Sequence, residues 1–93
     1  MKFLAISPTY NERKNIQELI NRVLKSYDKI ELLIVDDNSP DGTGEFVKSY
    51  LKTNNRIHIL ERPEKLGLGT AYCAGFLWAL ENNYDKVIQI DAD

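Results

Sequence analysis

KVIQIDAD, residues 86–93, sets a short apolar strand running into two carboxylates, Asp91 and Asp93, one residue apart. Two such charges ~6 Å apart repel by roughly 3 kcal/mol at an effective dielectric of ~20, less where water reaches both. A hard divalent cation relieves that repulsion, and carboxylate oxygens suit Mg²⁺ or Mn²⁺. A lone D-x-D is usually an acidic turn at a strand end. Its meaning depends on what the other strands carry at theirs.

Working back along the chain, three more strands are expected. Phe3 to Ile6 and Leu32 to Val35 are unbroken apolar runs, as in strands covered on both faces. Arg56 to Leu60 alternates Ile57 and Ile59 with His58, the only histidine, which reads as a strand residue near a sheet edge. Helices are expected between them. Thr9 and Glu12 have the spacing of a capping box, and Ile16, Leu19, Ile20, Val23, Leu24 and Tyr27 follow at the spacing of one buried helix face. Phe46, Val47, Tyr50 and Leu51 mark a second helix. Leu68, Ala71, Tyr72, Gly75, Phe76, Ala79 and Leu80 mark one face of a third, with Cys73 and Trp78 off it.

Strand and helix alternate throughout, which predicts a Rossmann-like, three-layer α/β/α domain with a parallel sheet and right-handed crossovers. The two most apolar strands belong inside, giving the order 3-2-1-4, with the first two helices on one face and the third on the other. The order reverses between strands one and four, and open sheets bind ligands beyond the carboxyl ends of their strands at such a point. PTYNE follows strand one, Asp36 and Asp37 end strand two, and Asp91 and Asp93 end strand four, so all three acidic corners should share one rim. Individually each has a structural use: Glu12 in capping, Asp37 in a turn, Asp41 as an N-cap.

Composition narrows the classes. Ninety-three residues make one domain, and a net charge of −2 leaves no basic footprint for nucleic acid. The single cysteine, Cys73, excludes an internal disulfide and suits a reducing cytoplasm. No apolar run reaches membrane-spanning length, so any membrane contact is expected to be peripheral. SPTYNER lacks the glycines of a dinucleotide-binding turn, and the partial G-x-G at Gly67 and Gly69 follows the third strand instead. A receiver-type signalling domain would need an acceptor aspartate on a central strand, where the first strand ends in Ser7 and Pro8.

PTYNE, VDDNSPDGT, KLGLGTAY and IDAD, in this order and spacing, resemble the nucleotide-binding half of a family-two glycosyltransferase of the A-type fold. SPDGT and LGLGTAY favour the dolichyl- or polyprenyl-phosphate mannosyltransferase subgroup. The resemblance covers residues 1–93 and implies a truncated form of that fold, ending at the D-x-D motif. It implies that Pro8, Tyr10 and Glu12 line the nucleotide pocket, and that Val35 and Asp37 contact the base. Asp91 and Ala92 would lie against ribose and diphosphate, and Asp93, with Asp91, would hold Mg²⁺ or Mn²⁺. Asp91 and Asp93 are thus the catalytic pair, while Asp36 and Asp41 are structural. The activity implied is transfer of a sugar, mannose from GDP-mannose, to a polyprenyl or dolichyl phosphate at the cytoplasmic face of a membrane. Relatives of this kind continue past the D-x-D, so the alternatives are nucleotide-sugar binding without complete transfer by these 93 residues, or a family-two glycosyltransferase with another donor and acceptor. Strand four would then be an open edge, and self-association through it is expected.

Overall fold

The computed structural model describes residues 1–92, and Asp93 lies outside them. Four parallel strands, β1 (Phe3–Thr9), β2 (Ile30–Asp36), β3 (Ile57–Glu61) and β4 (Lys86–Gln89), are ordered β3-β2-β1-β4, as the sequence predicts. Helices α1 (Ile16–Ser26) and α2 (Thr43–Lys48) lie on one side and α3 (Leu68–Glu81) on the other. Strand alternation divides the core accordingly. Ala5, Leu32, Ile34 and Ile57 meet Ile16, Leu19, Ile20, Val23 and Val47, while Leu4, Ile6, Leu33 and Val35 meet Ala71 and Ala79. Glycine at position 75 brings α3 close to the sheet: a Cβ there would lie 2.7 Å from Ile6 Cγ2.

Strand β1 runs three residues beyond its apolar stretch, through Pro8 to Thr9, still paired with β2. Its ladder with β4 stops at Ile6↔Gln89, followed by one more bond from Ile90 N to the Ile6 carbonyl. Successive residues of a strand direct their backbone groups to opposite sides, so Pro8 falls on the β4 side just where pairing has ended. A residue with no N–H costs nothing there. The two strands part at Pro8, and the reversal of strand order becomes an opening.

Several helix expectations change. Tyr27 lies just past the end of α1 and is exposed, and α2 ends at Lys48, short of Tyr50 and the exposed Leu51. The Thr9–Glu12 capping box does not form. Thr9 is the last residue of β1 and its hydroxyl donates to Asp36 Oδ1 at 2.6 Å, so α1 begins at Ile16, where the Glu12 carbonyl accepts from the Asn15 and Ile16 amides. On α3, Leu68 and Leu80 are exposed, whereas Trp78 packs against the core.

Trp78 belongs to a cluster at the amino-terminal edge of the sheet. Its ring lies 5.1 Å from that of His58 and 5.7 Å from that of Tyr84. His58 Nε2 and the Tyr84 hydroxyl both lie 2.6 Å from Glu31 Oε1. His58 therefore has the partners that its flanking sequence does not suggest, drawn from β2 and from the turn after α3. Burial alone would raise the Glu31 carboxyl, but the hydrogen bonds from Tyr84 and His58 outweigh it and hold it below the ordinary value of 4.5. Burial and the bond to Glu31 push the Tyr84 phenol up.

A carboxyl depressed on folding stabilises the protein above its unfolded value and loses that contribution as pH falls through its folded value. Urea unfolding of Glu31→Gln is therefore expected to show a flatter loss of stability than the unsubstituted chain between about pH 5 and pH 3.

Candidate functional site

The parting of β1 and β4 opens a cleft of about 370 Å³ at the carboxyl ends of the strands. Pro8, Tyr10 and Glu12 line it from the β1 loop, Asp37 from the end of β2, and Asp91 and Ala92 from beyond β4. The three acidic corners thus face one space. Asp93 cannot be placed, because it lies outside the described residues. Val35, to which the resemblance gives a base contact, has its side chain fully buried in the α3-side core and is not among the residues that line the cleft. Its strand parity matches that of Leu33, which sets the side chain against α3, where a Cβ at Gly75 would lie 3.5 Å from Val35 Cγ2.

Hydrogen bonds between the β1 and β2 loops hold the corners in place. The buried Asp36 carboxylate accepts from the Thr9 and Ser39 hydroxyls, each at 2.6 Å, and from the Ser39 amide at 3.0 Å. Ser39 Oγ accepts in turn from the Asn11 amide, and Thr43 Oγ1 accepts from the Glu12 amide. Asp41 accepts from the Arg13 and Thr43 amides. Burial alone would raise the Asp41 carboxyl, but bonds from Thr43 and Arg13 outweigh it and hold it below the usual range. Asn11 and Asn38 take left-handed backbone conformations, with φ of 58° and 55°, which asparagine tolerates better than most residues. Asp36 and Asp41 are structural, as the sequence reading holds, and their work is to fix where Tyr10 and Glu12 stand.

Asp37 is held differently. Arg62, the first residue after β3, grips it with both arms of its guanidinium, Nε to Oδ1 at 2.7 Å and a terminal nitrogen to Oδ2 at 2.9 Å. Both side chains are largely buried. The bond to Asp37 raises the Arg62 pKa further. The guanidinium also reaches Thr70 Oγ1 at 3.0 Å and the Gly67 carbonyl, so one side chain ties the rim of β2 to the start of α3. At Gly67 the backbone has φ of 104° and ψ of 153°, a conformation essentially reserved for glycine. This loop adds Lys65, Gly67 and Leu68 to the cleft wall. Sequence reasoning missed Arg62 and gave Lys65 no role. The signal was present in one form: a cation directly after the strand that borders Asp37.

On the opposite wall the Tyr72 hydroxyl donates to Asp91 Oδ1 at 3.2 Å. Burial first, then the bond to Asp91, raises the Tyr72 phenol. Among the described residues no group of three or more His, Cys, Asp or Glu side chains forms a metal cage. The exposed Asp91 carboxylate at the cleft supplies hard oxygen ligands suited to Mg²⁺ or Mn²⁺.

Removing one partner of a buried ion pair leaves the other charge uncompensated. Arg62→Met is expected to cost about 3 kcal/mol in urea unfolding. The Asp37→Asn/Arg62→Met double variant should lose clearly less than the sum of the two single losses.

Comparison with known proteins agrees with this geometry. The family model described as Glycosyl transferase family 2 matches residues 5–93. The chain is 44% identical over 91 residues to the polyprenol monophosphomannose synthase of Mycolicibacterium smegmatis, covering 97% of this chain and 34% of that protein. It is 42% identical over 93 residues to the undecaprenyl-phosphate mannosyltransferase of Micrococcus luteus, covering all of this chain and 38% of that protein. The chain thus spans about a third of the length of the curated relatives it matches. Among solved structures it resembles a mannosyltransferase of Pyrobaculum calidifontis in complex with GDP-Man and Mn²⁺, with a TM-score of 0.81 and 31% identity over 99% of this chain and 27% of the other. It also resembles residues 1–349 of S. aureus TarS in complex with UDP, with a TM-score of 0.77 and 30% identity over all of this chain and 28% of the other. With a matching fold, a matching family model over nearly its whole length and the rim geometry just described, this chain belongs to glycosyl transferase family 2.

Proposed function

We propose that this chain is the donor-binding part of a glycosyltransferase that moves mannose from GDP-mannose to a polyprenyl phosphate. The observation that carries the reading is the meeting of Glu12, Asp37 and Asp91, from three separate strand ends, around one cleft at the reversal of strand order. The names of the two curated relatives support the lipid-phosphate acceptor, and the GDP-Man complex of the Pyrobaculum enzyme supports the donor.

In this reading Pro8 and Tyr10 form the wall against the nucleotide. The Asp37 carboxylate, fixed by Arg62, keeps lone pairs with which to accept from the N–H groups of a base. Asp91 and Ala92 lie beside ribose and diphosphate. Asp91, aligned by Tyr72, and Asp93 would hold Mg²⁺ or Mn²⁺. A metal there would act as a Lewis acid on the charge that grows on the β-phosphate. The sugar carbon passes through an oxocarbenium-like state. A lipid phosphate arrives already anionic, so the acceptor needs little from a general base. Such an acceptor places the partner at the cytoplasmic surface of a membrane, and among the described residues no helix is long and apolar enough to cross one.

A second reading, another donor at the same cleft, is favoured by the likeness to a UDP complex. Binding of nucleotide sugar without transfer is the alternative for the 93 residues alone. Calorimetric titration with GDP and with UDP, each with and without Mn²⁺, decides among these. GDP is expected to bind in a Mn²⁺-dependent way, and Asp91→Asn or Asp93→Asn should weaken it at least about tenfold. Preference for UDP would transfer the donor assignment, and absence of metal-dependent binding by the unsubstituted chain would overturn the donor site. Strand β4 leaves Val87 and Ile88 exposed at 38% and 50%, so self-association through this edge is part of the proposal. Sedimentation should show mass rising with concentration.

A further inference from the structure

Among the described residues, Lys65 is the only cation that lines the cleft, beside the carboxylates of Glu12, Asp37 and Asp91. Its ammonium lies 4.7 Å from the centroid of the Tyr10 ring, and among the described residues no carboxylate stands within 4.0 Å of it. Its position is fixed from below. Arg62 bonds Thr70 and the Gly67 carbonyl, Thr70 Oγ1 donates to the Gly67 and Leu66 carbonyls, and Asn38 Nδ2 donates to the Pro63 carbonyl. The loop that presents Lys65 is therefore anchored to the same guanidinium that holds Asp37.

The charges at the cleft pose a problem for the proposed ligand. Arg62 neutralises Asp37, but Glu12 and Asp91 remain, and a nucleoside diphosphate adds further negative charge. A metal at Asp91 offsets the charge on one wall only. From the geometry we infer that Lys65 is the protein's own phosphate-binding cation for the donor, held over Tyr10 until the diphosphate of a nucleoside diphosphate draws it away. A flexible four-carbon stem suits such a transfer, since its ammonium is a point charge that moves without re-forming a fork. The Tyr10 face that it leaves is then open to the base. This inference rests on the donor-site reading and adds a residue and a ligand group to it.

Calorimetric titration of the 93-residue chain with GDP and with guanosine, both in Mn²⁺, tests it. For Lys65→Met the GDP dissociation constant is expected to rise about tenfold, while guanosine binding stays within about twofold. Lys65→Arg should keep most of the GDP affinity, and the salt dependence of GDP binding should be shallower in the Met variant than in the unsubstituted chain. Equal weakening of GDP and guanosine would overturn the inference, because Lys65 would then merely support Tyr10. Unchanged GDP affinity in Lys65→Met, with binding by the unsubstituted chain intact, would overturn it while leaving the donor site standing. No binding of either compound by the unsubstituted chain would overturn both.

Discussion

A carboxylate enclosed at the end of a central strand must be hydrogen-bonded by the protein itself, and the rim of this domain is built around that requirement. Asp36 is 2% exposed, and water cannot satisfy its oxygens. Thr9 and Ser39 do so instead, one from each loop. Because Thr9 ends β1 and Ser39 opens the turn after β2, satisfying Asp36 sets the distance between the two loops. Ser39 passes the constraint on to Asn11, and Thr43 with Asp41 carries it to Glu12 and Arg13. Tyr10 and Glu12, which face the cleft, thus stand in a loop held by bonds to the loop after β2.

The ion pair of Asp37 with Arg62 extends this arrangement to the far wall. Asp36 and Asp37 are adjacent, yet their environments differ. One is met by hydroxyls and amides and serves the fold; the other is met by a guanidinium and borders the cleft. Adjacent residues at a strand end point to opposite faces, so two neighbouring aspartates can bind separate partners without competing. Arg62 then couples the end of β2 to the first turn of α3, whose opposite side carries Tyr72 to Asp91. The cleft has two walls joined through one helix.

The strand order was legible because burial on both faces writes itself as uninterrupted apolar sequence, and among the four strands Phe3–Ile6 and Leu32–Val35 have it most fully. The convergence of acidic corners followed from that order. The start of α1 was not legible, since Thr9 and Glu12 satisfy a local pattern exactly as a real capping box does; the demand of Asp36, 27 residues away, decided otherwise. Arg62 and the His58 cluster were hidden for the same reason. Their partners lie 25 and 27 residues away, and neither pairing leaves a local trace. The side chain of Val35, a residue given a base contact by resemblance, is buried in the α3-side core.

Pro8 carries a consequence for how this domain can vary. Lengthening β4 by mutation cannot zip the sheet shut over the cleft, because the next rung on β1 offers a ring carbon where a hydrogen should be. The cleft is protected from closure by covalent chemistry at one residue, independently of the side chains that line it.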